Sequence, residues 1–398
     1  MKKSASVLGI LFSAFITASA SGYDVAALVW PAYQPEPRWA ELGIFPHGNG
    51  EWQNVYEAVS KKDGHVQPKV PLWGYENEAD PIVVARKIDA ALAAGINVFI
   101  YDWYWYEGRP FLENGLNEGF LKAPNNKRMK FFLMWANHNV DKLWNNKVGG
   151  KEKSKTIWSG EVSYDEFTKV LVPRFIEYFK KPNHYQIDGK PVFSIFILNN
   201  FVRGVGGAEK ARGALEFFDA ECKKAGFKGV HIMTIGMFFD KLWSGAKLPK
   251  GIETNAKNIA KYLNVQSFSS YNWTELNKPK GSYAKWRDDS VAEFDNVAKR
   301  VGIQYFPNVS IGWDNNPRYP ADEFTSLVEN SNPKDFEAAL RSAKKWIDEN
   351  RAPNMPKLIT INSWNEWTEG GYLEPDEQFG YGFLNAVARV FGKGASAK

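Results

Sequence analysis

Short apolar runs rich in β-branched and aromatic residues recur along the whole chain. They are VAALVW (25–30), NVFIYDW (97–103), KFFLMWAN (130–137), PVFSIFI (191–197), GVHIMTIG (229–236), VQSFSSY (265–271), QYFPNVSIG (304–312) and KLITINSW (357–364). Most are continuous rather than alternating, which suits strands buried on both faces of a parallel sheet. Helical patterns lie between them. DPIVVARKIDAALAAG starts at an Asp80 cap with Pro81 in the first turn and stops at Gly95. SYDEFTKVLVPRFIEYFK, AEKARGALEFFDAECKKAG, SVAEFDNVAKRVG and NPKDFEAALRSAKKWIDEN follow the same logic. Eight strands alternating with helices predict an α/β fold, a single (β/α)8 TIM barrel with long loops at the C-terminal face of the strands. An open doubly wound sheet is the alternative, weakened by the absence of GxGxxG after the first strand and of a Walker motif. Pro31 to Leu72 reads as a long insertion belonging to a substrate rim.

The first residues change the picture of where the chain works. Lys2 and Lys3 precede a short apolar core, Val7 to Ile16, and Ala18-Ser19-Ala20 is a small-residue cleavage site. Residues 1–20 therefore read as a signal peptide and 21–398 as the barrel domain, exported to the periplasm or secreted. No later run reaches membrane-spanning length, so no integral membrane segment is expected in the mature chain. Cys222 is the single cysteine and reads as a buried helix residue, so the core must supply stability without an internal disulfide. Net charge is +5, with both signs interspersed, which argues against nucleic acid as a partner. Aromatic residues make up 15% of the chain, including 16 Trp; such rings pack cores and also form platforms for sugar rings.

In a barrel of this kind the site lies where the strands end. Those ends carry Trp30 and Tyr33; Asp102, Trp103 and Trp105; Trp135, Asn137 and His138; Tyr271; and Trp313, Asp314 and Arg318. The last run continues as INSWNEWTEGGYLEPD, with Trp364, Asn365, Glu366, Trp367, Glu369 and Tyr372. Glu366 and Glu369 are three residues apart, so one helical turn would point both to one side. Two carboxyls flanking a bond are what glycoside cleavage requires, and burial among Trp364 and Trp367 would raise the pKa of the acid. The competing reading is a solvated acidic loop. Asp102 could cap a turn or grip a sugar hydroxyl, and Asp314 could bind substrate or pair with Arg318. A lone His138 is more often structural or rim-lining than catalytic. The spacings of HExxH, DxDxDG and paired His are missing, so no metal and no other cofactor is expected.

These stretches, with PLWGYENEADPIVVARKIDAALAAGINVFIYDWYWYEGRPFLE, FFLMWANHN, the DGKPVF segment at 188–193 and SIGWDNNPR, resemble the WbsX-like proteins. That group is related to glycoside hydrolase family 99, the endo-α-mannosidase and endo-α-mannanase family. The resemblance spans most of the mature chain and implies a (β/α)8 barrel. It also implies a retaining mechanism in which the first Glu of a Trp-flanked ExxE deprotonates the sugar's own 2-hydroxyl. The resulting 1,2-anhydro intermediate is opened with help from the second Glu, first acid and then base. On this chain the roles fall on Glu366 and Glu369. Two positions depart from the pattern: His138 stands where WbsX-like proteins commonly carry an acid, and Thr368 where family 99 carries His. The WbsX name also has a glycosyltransferase association, but no nucleotide-sugar motif is present.

The resulting expectation is an exported glycoside hydrolase acting on an oligosaccharide or polysaccharide, with Glu366 as base and Glu369 as acid/base. Tyr33, Asp102, Trp103, Trp105, Trp135, Asn137, His138, Tyr271, Trp313, Asp314, Arg318, Trp364, Asn365 and Tyr372 are the candidate substrate-binding residues. A non-catalytic glycan-binding barrel, a polysaccharide lyase and a glycosyltransferase are the competing functions.

Overall fold

The computed structural model describes residues 22–140, 146, 156–236, 238–242 and 247–392, so the candidate signal peptide at 1–20 lies outside the described residues. All eight apolar runs contain strands. The parallel strands are β1 (Asp24–Val29), β2 (Val98–Tyr106), β3 (Lys130–Trp135), β4 (Lys190–Ile195), β5 (His231–Ile235), β6 (Ser267–Ser269), β7 (Gln304–Tyr305), β8 (Asn308–Ser310) and β9 (Leu358–Asn362). They form one curled sheet in the order β7-β6-β5-β4-β3-β2-β1-β9-β8, so each neighbour pair joins parallel strands.

The run QYFPNVSIG supplies both ends of that order. Pro307 has no N–H to add to a ladder. The run is therefore divided into β7, paired with β6, and β8, paired with β9. Backbone bonds continue between them: Phe306 N–H donates to Phe268 O at 2.9 Å, and Thr360 N–H donates to Pro307 O at 3.1 Å.

Strand parity sorts the side chains. On the concave face Thr360 Oγ1 meets Ser269 Oγ at 2.8 Å and accepts from Asn308 Nδ2 at 3.1 Å. On the other face Phe193, Phe175 and Phe218 pack against one another with centroids 4.4–5.9 Å apart, joining β4 to the helices Val172–Phe179 and Ala208–Lys224. Cys222 is fully buried on the second of these helices.

The helices begin and end where their caps dictate. Asp80 Oδ1 accepts from Ile82 N–H at 2.8 Å, Pro81 occupies the first turn, and Gly95 ends Pro81–Ala94 with φ +94°. A Cβ on Gly95 would lie 2.7 Å from Phe391 O, so the position requires glycine on two counts. The pattern at 164–179 is interrupted by a π-turn, Phe167–Leu171, just before Pro173. Proline cannot donate to the preceding turn, and the wider π-turn absorbs that loss. SVAEFDNVAKRVG does not form one helix: Tyr283–Ala292 and Phe294–Val301 meet at Glu293.

Asp80→Ala removes a satisfied N-cap and is expected to cost about 1 kcal/mol. Urea denaturation should show this as a lower midpoint with an unchanged slope.

Candidate active site

After β9 the chain forms a small hairpin. Asn365–Glu366 pairs antiparallel with Gly371–Tyr372 around a 3-10 turn, Trp367–Glu369, and Gly370 closes it at φ +67°. Residues i and i+3 eclipse in a 3-10 turn, so Glu366 and Glu369 face the same side. Two hydroxyls hold the turn in place. Ser363 Oγ accepts from Glu366 N–H at 2.8 Å, and Tyr33 Oη accepts from Trp367 N–H at 2.9 Å.

Arg318, in the 3-10 turn that follows β8, faces this pair. Its Nη1 donates to Glu369 and its Nη2 to Glu366 Oε1 at 3.5 Å. The other edge of the guanidinium grips Glu51, with Nε to Oε1 at 2.7 Å and Nη2 to Oε2 at 3.2 Å. Glu51 is fully buried and also accepts from Trp30 Nε1 at 2.5 Å. The guanidinium lies 5.4 Å from the centroid of the Trp30 ring.

On the opposite side, Tyr271 Oη lies 2.9 Å from Glu366 Oε2 and 3.0 Å from Asp102 Oδ2. A phenol has one proton and cannot donate to two carboxylates, so one of the two acids is protonated. Burial and the neighbouring Glu366 charge push Asp102 well above the usual carboxylate range. Tyr271 Oη is the hydrogen-bond partner that the two acids share, Glu366 on one side and Asp102 on the other.

Three carboxyls share one guanidinium and a fourth, Asp102, lies across Tyr271, so full ionisation of the cluster is strongly disfavoured. Burial and the Glu366 charge push Glu369 up to about 8. Burial also raises Glu366, while Arg318 and the Tyr271 hydroxyl oppose that rise. The two acids thus differ in surroundings: Glu369 is pushed up beside Glu366, and the rise of Glu366 is opposed by Arg318 and Tyr271. A chain of aromatic edges surrounds the cluster: Trp30 to Tyr104 at 5.7 Å, Tyr104 to His138 at 5.7 Å, His138 to Phe196 at 6.0 Å and Phe196 to Tyr271 at 5.4 Å. His138, Phe196 and Tyr271 are only half-buried, and Glu369 keeps 14% of its side chain exposed, so the acids can be reached from this side.

The profile of the family described as Glycosyltransferase WbsX matches residues 26–387. The chain belongs to this family. A relative from Xanthomonas campestris pv. campestris (strain B100), named uncharacterized protein WxcX, is 24% identical over 391 residues. That match covers 92% of this chain and 49% of the relative, so the chain spans about half the length of the curated relatives it matches. Among solved structures, a glycoside hydrolase-like protein superposes with a TM-score of 0.57 at 15% identity, covering 93% of this chain and 94% of the other. The family 99 endo-α-mannosidase from Bacteroides thetaiotaomicron superposes with a TM-score of 0.52 at 14% identity, covering 94% and 98%. At such identities these likenesses show a shared fold.

In this WbsX-family chain several sequence-selected residues lie away from the acid cluster. Trp103 and Trp105 alternate with Asp102 and Tyr104 along β2, so they point to the helix layer. Register places Trp135 on the same outer face as Trp103. Trp103 donates to Glu113 at 2.8 Å, Trp105 to Glu166 at 2.7 Å, and Trp135 stacks on Phe167 at 6.0 Å. Trp364 is buried against Phe99 at 5.2 Å. None of these four rings offers a face to a sugar.

Tyr33, Asn137, Asn365 and Tyr372 are also buried and hold the scaffold. Asn137 brackets Ile197, with bonds of 2.9 Å to its O and 2.8 Å from its N–H. Asn365 does the same for Trp30, at 2.8 Å in both directions. Tyr372 stacks on Trp367 at 3.8 Å and donates to Asp376 at 2.6 Å. Asp314 does not pair with Arg318. Burial pushes its carboxyl up, but bonds from His65 (2.8 Å), Asn316 (2.8 Å) and Gln67 (2.8 Å) hold it below its usual value. Half-buried Trp313 lines a groove of about 370 Å³ with His65, Lys69 and Phe379, behind the Glu366–Gly371 hairpin.

Glu51, Tyr104 and Phe196 are absent from the sequence-derived set. Glu51 lies in an insertion with no hydrophobic period. Its one signal is the preceding Gly50, at φ +61°, where a Cβ would lie 2.1 Å from Ala32 O.

Arg318→Met leaves Glu51 buried without its partner and is expected to cost about 3–5 kcal/mol in chemical denaturation. Glu369 is raised from 4.5 to about 8, so the folded state holds this proton more tightly than the unfolded state. Its contribution to stability is complete below pH 4.5 and is lost as pH rises through about 8. Against a Glu369→Gln reference, wild-type melting temperature should fall across that window; parallel curves would refute the assignment.

Proposed function

We propose that this protein is an exported, retaining glycoside hydrolase, with Glu366 as base and Glu369 as acid and then base. The observation that carries the reading is the unequal setting of the buried pair: Glu366 meets both Arg318 and the Tyr271 hydroxyl, which oppose its rise, while burial and the Glu366 charge push Glu369 up to about 8. One group can then withdraw a proton while the other delivers one to the leaving oxygen. An inverting pair needs roughly 6.5–9.5 Å between carboxyls to admit water. Glu366 and Glu369 meet one guanidinium, Arg318, which leaves little room for such a water and favours retention. In the route we propose, Glu366 removes the proton of the sugar's 2-hydroxyl and that oxygen attacks the anomeric carbon. Glu369 protonates the departing oxygen; water that Glu369 deprotonates then opens the 1,2-anhydro sugar at the anomeric carbon, and Glu366 returns its proton to the sugar's 2-oxygen. The intramolecular attack gains from proximity. Asp102, Tyr271 and His138 lie where hydroxyls of the bound sugar would meet them.

The single closed barrel is part of the same proposal. The continuous run 304–310 bonds to β6 through its first half and to β9 through its second, as one strand closing the sheet would. Export rests on the N-terminal pattern at 1–20. The fold shared with a family 99 endo-α-mannosidase makes α-mannosides the first substrates to test.

The family's description favours a second reading, glycosyl transfer. The same anhydro intermediate would serve it if a sugar hydroxyl replaced water.

The test is product release from a panel of α-mannans and complex glycans, with wild type beside Glu366→Gln and Glu369→Gln. A product that wild type releases and both variants lose by about a hundredfold or more is expected. Turnover should fall as pH rises through about 8, where Glu369 loses its proton. An elongated product with an added sugar acceptor would establish transfer, an unsaturated ultraviolet-absorbing product would establish a lyase, and binding without any product would overturn catalysis.

A further inference from the structure

A second buried charge cluster lies behind the acid pair. Lys87, on the helix Pro81–Ala94, places its Nζ 2.6 Å from Glu78 Oε1 and 2.6 Å from Glu374 Oε1. The three side chains are only 5%, 6% and 3% exposed. Neither carboxylate ends its connections at the lysine. Glu78 Oε1 accepts from Asn365 Nδ2 at 2.8 Å, and Glu374 Oε2 accepts from Trp367 Nε1 at 2.9 Å. Asn365 and Trp367 are the residues on either side of Glu366. The backbone adds a third tie, because Glu78 N–H donates to Tyr33 O at 3.0 Å while Tyr33 Oη receives Trp367 N–H.

We infer that Lys87 is a positioning residue for the proposed reaction, holding Glu366 in register with Arg318 and Tyr271 by drawing Glu78 and Glu374 together. The inference rests on the hydrolase reading for its purpose, but on the hydrogen-bond geometry for its content. A buried ion triad is a poor stabiliser compared with apolar residues of the same volume, so stability alone does not account for it. Removing the ammonium would leave Glu78 and Glu374, each tied to a neighbour of Glu366, without the common partner that draws them together. The hairpin would spread, and Glu366 would move away from Glu369.

The readout is the protonation of Glu369, which needs no substrate. The charged and titratable groups facing Glu369 are Glu366, Arg318, Glu51, Asp102 and Tyr271, and none of them is altered. Infrared pH-difference spectra of the protonated carboxyl stretch, compared with and without Glu369→Gln, isolate this one group. The wild-type midpoint is expected near 8. In Lys87→Met it should fall by about one pH unit or more, because Glu366 no longer raises it. A lower melting temperature with an unmoved midpoint would make Lys87 purely structural and overturn the inference. Should Lys87→Met fail to fold, Glu374→Gln keeps an acceptor for Trp367 and removes only the charge. Its midpoint should fall in the same direction by a smaller amount, and an unmoved midpoint there would overturn the inference equally. Absence of glycan cleavage by wild type would defeat the hydrolase reading and leave this measurement intact.

Discussion

The Arg318 guanidinium is the interaction on which the rest of the site depends. Its planar fork meets Glu51 through one edge and the Glu366–Glu369 pair through the other, with Trp30 beneath. A lysine could supply the charge but not two edges at fixed angles. The charge permits two adjacent acids to be buried at all. The geometry sets the two acids apart, because Arg318 and Tyr271 both oppose the rise of Glu366. With the cation removed, the carboxyls would all be driven towards neutrality, and the difference in setting between Glu366 and Glu369 would disappear.

That arrangement rests on strand parity. Every parallel strand brings its end to one face, but only alternate residues look inward. Asp102 and Tyr104 do so, and Trp103 and Trp105 cannot. The aromatic wealth at the strand ends therefore serves two layers: an inner wall of Trp30, Tyr104 and Phe196, and an outer one against the helices.

The same rule explains what the amino-acid order reveals. The eight strands, the Asp80 and Gly95 boundaries and the ExxE pair are legible because period, cap chemistry and local spacing are properties of neighbouring residues. Parity was not, since a continuous apolar run such as VFIYDWYWY is buried on both faces and gives no sign of which set turns inward. Glu51 was not, because its place in the cluster is set by a loop crossing the sheet rather than by any repeat. The choice for Asp314 between substrate and Arg318 missed His65 and Gln67 for the same reason: those partners lie about 250 positions away in the chain.

The wide spacing of the acid cluster along the chain has a further consequence. Glu51, Asp102, Tyr271, Arg318 and the final pair come from distant parts of the polypeptide, so their encounter depends on the most non-local contacts of the fold. Until then Glu369 is an ordinary carboxylate in water, ionised at neutral pH. The hold of Glu369 on its proton is therefore a property of the finished tertiary structure, and the folded chain itself acts as the switch that turns it on.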